Sequence, residues 1–333
     1  MEAIIKQLDE AIEKAINEVS ISSLLDLDSS LSFDSIKTHI IEPCNDMILR
    51  GGKRLRPLLV VLCTKMFEGD EDEALLFAPI IEAIHTASLI HDDIEDSSPK
   101  RRGKPSTYIK YGLDVALNAG SSLYFFALSL INRHKKETHL PLYNLCVNAL
   151  SLLHIGQAMD IKHHSNYHLH FDRAMYEHLV SLKTGTLFSL SANVALVFSN
   201  REVPLLAKIF NEAGAVFQML DDLKNVAETG IKGKAIGDDI VEGKLSFPIV
   251  LYLEEHPENK EKLIQLFAKA KKEGIASDAV KECCLLLRDS KVIEKGFNIA
   301  KNKLNSAISQ LKELGGNCHY NNLIANIFES FSF

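Results

Sequence analysis

Apolar residues along this chain recur at three- and four-residue intervals, and nowhere do they alternate for long with polar ones. That rhythm predicts helices and almost no sheet. Residues 3–21 put Ile4, Ile5, Leu8, Ile12, Ala15, Ile16 and Val19 on one side of an amphipathic helix. A Ser/Asp-rich loop is expected over 22–35. A second helix over 36–50 should stop at Gly51-Gly52, a common C-terminal signal. Further helices are predicted over 73–96, 113–133, 139–162, 172–199 and 203–229. Pro79 suits a first helical turn, and Pro99 closes the segment it begins. The Gly-rich, charged stretch 229–244 reads as a mobile flap, and helices return after Pro248. With no short repeat and no linker, the expectation is an all-α helical bundle, one domain over 1–333.

Composition narrows the class. Of 333 residues, 46% are hydrophobic and 24% charged, enough for a large core. The net charge of −7 gives no reason to expect a nucleic-acid partner. No uninterrupted apolar run approaches the ~18 residues of a membrane span. The opening M-E-A-I-I-K-Q-L-D-E carries acids and lacks a signal-peptide pattern, so a cytoplasmic location is expected. The six cysteines, at 44, 63, 146, 283, 284 and 318, form no C-x-x-C pair and read as reduced, mostly buried thiols.

Chemistry concentrates between His85 and Pro105. On a helical period His85, Ser88, Asp92 and Asp96 share a stripe, with Leu89 and Asp93 beside it. Asp92, Asp93, Glu95 and Asp96 crowd a helix C-terminus, where the dipole disfavours anions, so a cation is called for. Arg101, Arg102 and Lys104 follow at once. Mg²⁺ binds through one or two carboxylates plus phosphate oxygens, and Arg grips phosphate in a fork. A rim of both suits a metal–diphosphate. A second acidic helix end, Asp221-Asp222, has Gln218 one turn before and Asn225 one turn on. Two such ends suggest facing walls of a deep central cavity.

The cations fall into two sets. Lys53, Arg56 and Arg102 form one, at the start of an apolar helix whose amide N–H groups also favour anions. Arg101, Lys183, Lys234 and Lys244 form the other. Two sets imply two diphosphates, where a cyclase that ionises one needs a single set.

Six ordered motifs carry a resemblance over nearly the whole chain: G-G-K-R-L-R-P, H-D-D-I-E-D-S-S-P-K-R-R-G-K-P, G-Q-A-M-D, K-T-G, F-Q-M-L-D-D-L-K-N and G-D-D-I-V-E-G-K-L-S-F-P. Together they resemble the trans-type polyprenyl diphosphate synthases, all-α enzymes of the isoprenoid synthase type. D-D-I-E-D and S-L-Y-F-F-A-L are most similar to geranylgeranyl diphosphate synthases. The family's second motif often ends in Asp where this chain has Asn225, which offers an oxygen ligand but no charge.

The resemblance implies 1′-4 head-to-tail condensation of isopentenyl diphosphate with an allylic diphosphate, with Mg²⁺, about three ions per site. It assigns Asp92, Asp96 and Asp221 to the metal and Arg101, Lys183, Lys234 and Lys244 to the allylic diphosphate. Thr184 and Gln218 would line the path of the allylic cation and count as catalytic together with Lys183. Lys53, Arg56, His85 and Arg102 would hold isopentenyl diphosphate, and the released diphosphate would take the proton. A homodimer is also implied.

Product length follows from the path back along the Asp92 helix, about 5.4 Å per turn. Ala87 and Ser88 leave the first level open, which points to about twenty carbons; Tyr124, Phe125 and His154 are candidates for the floor. Farnesyl or longer products, a class I terpene cyclase and a non-catalytic regulatory subunit are the rival readings. The histidines at 154, 163, 164, 168, 170 and 178 lack H-E-x-x-H spacing and read as a solvated loop after Asp160 rather than a zinc site.

Overall fold

The computed structural model describes residues 1–15, 34–164, 166–167, 170–227, 236–316 and 318–332. The tail of the predicted first helix (16–21), most of the predicted 22–35 loop, much of the expected flap, Lys234 and His168 lie outside the described residues. Helices dominate, as the periodicity predicts; among the described residues the strands are Lys100–Arg101 and Lys104–Pro105, paired antiparallel. The chain divides into two compact units, one of residues 1–150, 187–207 and 315–324 and one of 151–186, 208–314 and 325–333.

In the first unit the helix Glu71–Glu95 is the centre, packed against Leu113–Leu130, Leu55–Met66 and the N-terminal Glu2–Ala15. Asp70 caps it by accepting the Glu73 N–H at 3.1 Å, and Glu71, Asp72 and Glu73 complement the dipole in its first turn. The start therefore lies before the predicted 73, and Pro79 sits inside the helix instead of in its first turn. Sequence alone favours the terminal reading because an interior proline forfeits one hydrogen bond. Here the helix from Phe77 to Ile84 is buried on every side, and packing holds it together. Leu8 and Ile12 of the N-terminal helix are fully buried, so that helix completes its own unit.

In the second unit Arg173–Val180 packs on Phe247–Glu255, and Lys260–Glu273 on Asp278–Asp289. Cys283 and Cys284 are buried there, as expected. Where one long helix is predicted over 172–199, the chain forms Arg173–Val180, a π-helical turn Ser181–Gly185 and then Thr186–Phe198. Such a single wide turn re-aims side chains inside a helix.

The expectation that no stretch is long and apolar enough to cross a membrane is corrected. Glu71–Glu95, Leu113–Arg133 and Arg173–Phe198 meet that criterion by length and composition. Interior charged and polar residues broke up the runs in the sequence without lowering the mean hydropathy enough. Two-thirds of the apolar window is buried inside the protein for the first and third, and half for the second.

Candidate active site

The stripe read from the sequence is real. Along Glu71–Glu95, His85, Ser88, Leu89, Asp92 and Asp96 are half-buried, while Thr86, Ala87, Ile90 and Asp93 face the interior. After the helix, Lys100–Arg101 and Lys104–Pro105 form a minimal hairpin. Its two central residues, Arg102 and Gly103, both have positive φ (53° and 75°), the signature of a tight type I′ turn. This hairpin folds Arg101 back onto the acids. Its Nε donates to Asp93 Oδ1 at 2.7 Å, and its Nη2 reaches Asp92 Oδ2 at 3.2 Å. The cation demanded by an acidic C-terminus is therefore Arg101, and the two carboxylates raise its affinity for the proton against burial. Burial pushes the Asp93 carboxyl up to about 6, even with Arg101 beside it. Asp92 and Asp96, one turn apart on the open stripe, are the pair that can offer oxygens outward.

A basic cluster lies in the same unit. Arg56 Nη1 is 3.2 Å from His85 Nε2. An arginine only donates, so His85 Nε2 accepts and its Nδ1 carries the proton. Burial, then the charges of Arg56 and Arg102, hold the His85 pKa well below the usual range, so the ring is neutral. Burial likewise lowers Arg56 to about 10. Its Nε is buried with no hydrogen-bond partner among the described residues. Phe188 lies under the guanidinium, 5.2 Å from ring centroid to Cζ. Arg102 donates through Nη1 to the Gly51 carbonyl, and Lys53, two residues on from Gly51, is exposed. A Cβ at Gly52 would come within 3.1 Å of the Arg102 guanidinium, so only glycine lets Arg102 lie against this backbone without displacement. Arg56 and His85 thus lie together within reach of the Arg102 charge, while Lys53 adjoins them only through the backbone turn that precedes the helix Leu55–Met66.

In the second unit a polar relay joins the predicted Thr184 and Gln218. Thr184 Oγ1 donates to Gln218 Oε1 at 3.0 Å, and Gln218 Nε2 donates to Asp222 Oδ1 at 2.8 Å. Asp222 is buried and also accepts the Tyr176 hydroxyl at 2.6 Å and the Phe247 N–H at 3.0 Å. Burial nonetheless raises its pKa. Asp221 is the half-exposed member of the pair. Lys183 Nζ donates to Asp160 Oδ2 at 2.6 Å. Asp160 ends the G-Q-A-M-D motif, and its partner lies 23 positions away, beyond what helical spacing can connect. Gly156 of that motif touches the π-helical turn: a Cβ there would stand 2.7 Å from the Lys183 amide nitrogen. Lys244 Nζ pairs with Glu242 at 2.8 Å.

Some expectations are corrected. Asn225 is not placed as an oxygen ligand: it is buried, and its Oδ1 accepts the Asp239 N–H at 3.3 Å, at the start of helix Asp238–Glu242. Phe125 is 71% exposed, so the inward ring of the Tyr124–Phe125 pair is Tyr124, stacked on His91 at 5.4 Å. His154 is exposed in the chain. The histidine-rich stretch is not a uniformly solvated loop: His163 is buried and packs on Phe171 with centroids 4.5 Å apart.

Among the described residues no three His, Cys, Asp or Glu side chains converge into a metal cage. Mg²⁺ needs none, since it takes one or two carboxylates and fills its octahedron with water and phosphate oxygens. Asp92 with Asp96, and Asp221 on its own helix, fit such an ion.

An all-α chain whose two units each carry a pair of neighbouring aspartates near a helix C-terminus, with a basic cluster in the first, has groups suited to metal-bound and free phosphate. The profile described as polyprenyl synthetase matches residues 37–284. A geranylgeranyl diphosphate synthase from Sulfolobus acidocaldarius is 28% identical over 84% of this chain and 88% of its own. An octaprenyl diphosphate synthase from Haemophilus influenzae is 26% identical over 79% of each. The crystal structure of geranylgeranyl pyrophosphate synthetase from Pyrococcus horikoshii superposes with a TM-score of 0.79 at 26% identity, covering 99% of both chains. The chain belongs to the polyprenyl synthetase family and is a trans-prenyltransferase.

Proposed function

We propose that this enzyme condenses isopentenyl diphosphate with an allylic diphosphate in Mg²⁺-dependent 1′-4 head-to-tail elongation, ending at geranylgeranyl diphosphate. The observation that carries the reading is the buried Arg56 Nε, without a hydrogen-bond partner among the described residues, beside neutral His85 and the charge of Arg102. A buried donor without a partner is costly, and an anion relieves that cost. This cluster can take a diphosphate without metal, which a class I cyclase does not require.

Each group then has a task. Mg²⁺ at Asp92, Asp96 and Asp221 would neutralise the departing allylic diphosphate. Arg101 already bridges Asp92 and Asp93, so it can turn one edge of its fork to phosphate without moving far. Lys183, Lys244 and Lys234 supply further positive charge. Thr184 and Gln218 would line the path of the allylic cation, and the relay to Asp222 fixes their orientation. The double bond of isopentenyl diphosphate, held by Lys53, Arg56, His85 and Arg102, attacks that cation, and the released diphosphate accepts the proton. Isothermal titration in EDTA tests the metal-independent cluster. Isopentenyl diphosphate should bind in the micromolar range; no binding without Mg²⁺ would favour the cyclase.

The twenty-carbon product is supported by Ser88, a small residue on the open stripe one turn before Asp92, with the buried Tyr124 as the candidate for the floor. A homodimer is supported by the apolar residues left outside. Leu113, Leu117 and Phe125 are at least half exposed, and so is Leu140, with Tyr143 and Val147 partly so. A second copy of the chain would cover them. A cytoplasmic setting accords with the unpaired cysteines.

A further inference from the structure

Arg54 lies between Lys53 and Arg56 in the sequence, yet its side chain is committed elsewhere. Nε donates to Asp9 Oδ1 at 2.8 Å, Nη1 to Glu82 Oε1 at 2.6 Å and Nη2 to the Ile48 carbonyl at 2.9 Å. With each of the three nitrogens already donating a bond and the side chain 5% exposed, it is turned into the protein and away from any substrate in solvent. Its backbone is left-handed (φ 45°, ψ 34°), a conformation that side-chain-bearing residues adopt only when their surroundings impose it. The Arg54 carbonyl accepts the Leu58 N–H at 2.9 Å and so begins the helix Leu55–Met66. Lys53 sits just before this turn and Arg56 just after it. The turn therefore decides where both point.

Glu82 is buried, at 3% exposure, on the central helix. One turn on from it, His85 faces Arg56. Glu82 is the carboxylate whose charge acts on Arg54, Arg56 and Arg102 together. Glu82 bonds Arg54 directly and acts on Arg56 and Arg102 only through its charge, while Asp9 reaches Arg54 from the half-exposed side. Arg54 is neutralised, and the surplus positive charge falls on Arg56 and Arg102.

We propose that Glu82 and Arg54 are a positioning pair that presets the isopentenyl diphosphate cluster, fixing the left-handed turn that aims Lys53 and Arg56 without either member touching substrate. This deepens the functional reading above and rests on it for the identity of the anion. Removing one member of a buried ion pair leaves the other charge uncompensated, so the turn it holds is released along with it. Preset cations bind an anion without first having to be ordered.

Steady-state kinetics of Glu82→Gln, which keeps the shape and removes the charge, is the test. The KM for isopentenyl diphosphate should rise tenfold or more, while kcat and the allylic KM stay within about threefold. Titration of isopentenyl diphosphate in EDTA should weaken by the same factor. Should Glu82→Gln not fold, Arg54→Lys keeps the cation, loses the fork and is read in the same way. A lower melting temperature with no split between the two substrates is what a merely structural pair gives, and it overturns the proposal. So does a rise in both KM values together. If the wild type condenses nothing, the functional reading fails by itself. The EDTA titration still decides the pair: unchanged affinity in both variants overturns it, and a tenfold loss supports it.

Discussion

Neighbouring aspartates in this protein have different work, and only part of that division is legible in the sequence. Positions four apart share a helix face, so the stripe of His85, Ser88, Asp92 and Asp96 is read correctly from spacing. Spacing cannot say what faces a side chain turned about 100° away. Asp93 meets Arg101 because a two-residue hairpin returns it, and Asp222 meets Tyr176 and Phe247 from distant segments. The same limit hid Glu82 and Arg54, whose partnership spans 28 positions. Asp92→Ala and Asp221→Ala each remove a half-exposed carboxylate, so the fold should persist while turnover falls by about 10²–10³-fold or more. Circular dichroism melts beside a turnover assay check this; near-normal turnover in both variants would remove the metal from the account.

At the scale of elements, most helices stand within a few residues of their predicted bounds, because amphipathic periodicity reports burial directly. What periodicity misses is irregular: the π-helical turn Ser181–Gly185 and the Arg102-Gly103 hairpin, each bent by contacts outside its own segment. The π-helical turn leans on Gly156. Gly156→Ala inserts a methyl group against the Lys183 amide, which should cost about 1–3 kcal/mol and displace Lys183 from Asp160. Thermal melts and turnover should fall together, and a variant with unchanged melting and activity would show that this contact relaxes freely. The helix Glu71–Glu95 also carries the product-length argument. Ala87 is fully buried, so a phenylalanine there would disturb the core, whereas Ser88 lies on the stripe. Ser88→Phe should shorten the product toward fifteen carbons, and Tyr124→Ala should lengthen it beyond twenty. Chromatography of hydrolysed products reads both; unchanged lengths would place the chain's path along another wall.

For the whole molecule, the all-α class was fully legible, because composition and period agree along the chain. The exposed apolar faces were not, since the sequence shows an apolar residue but not whether its own fold covers it. Phe125, at 71% exposure, is the clearest case. If a second copy covers these residues as proposed, Phe125→Glu should shift the protein toward monomer in light scattering, because a charge desolvated in an apolar interface finds no partner. A wild type that is already monomeric would leave those faces to another partner. The central claim, elongation of an allylic diphosphate, is tested most directly by incubating the purified enzyme with Mg²⁺, labelled isopentenyl diphosphate and each allylic starter in turn, then resolving the products. The account predicts label in a prenyl chain that stops at twenty carbons, and none when EDTA replaces Mg²⁺. Release of diphosphate from the allylic substrate with no label incorporated, or no reaction with any starter, would contradict it.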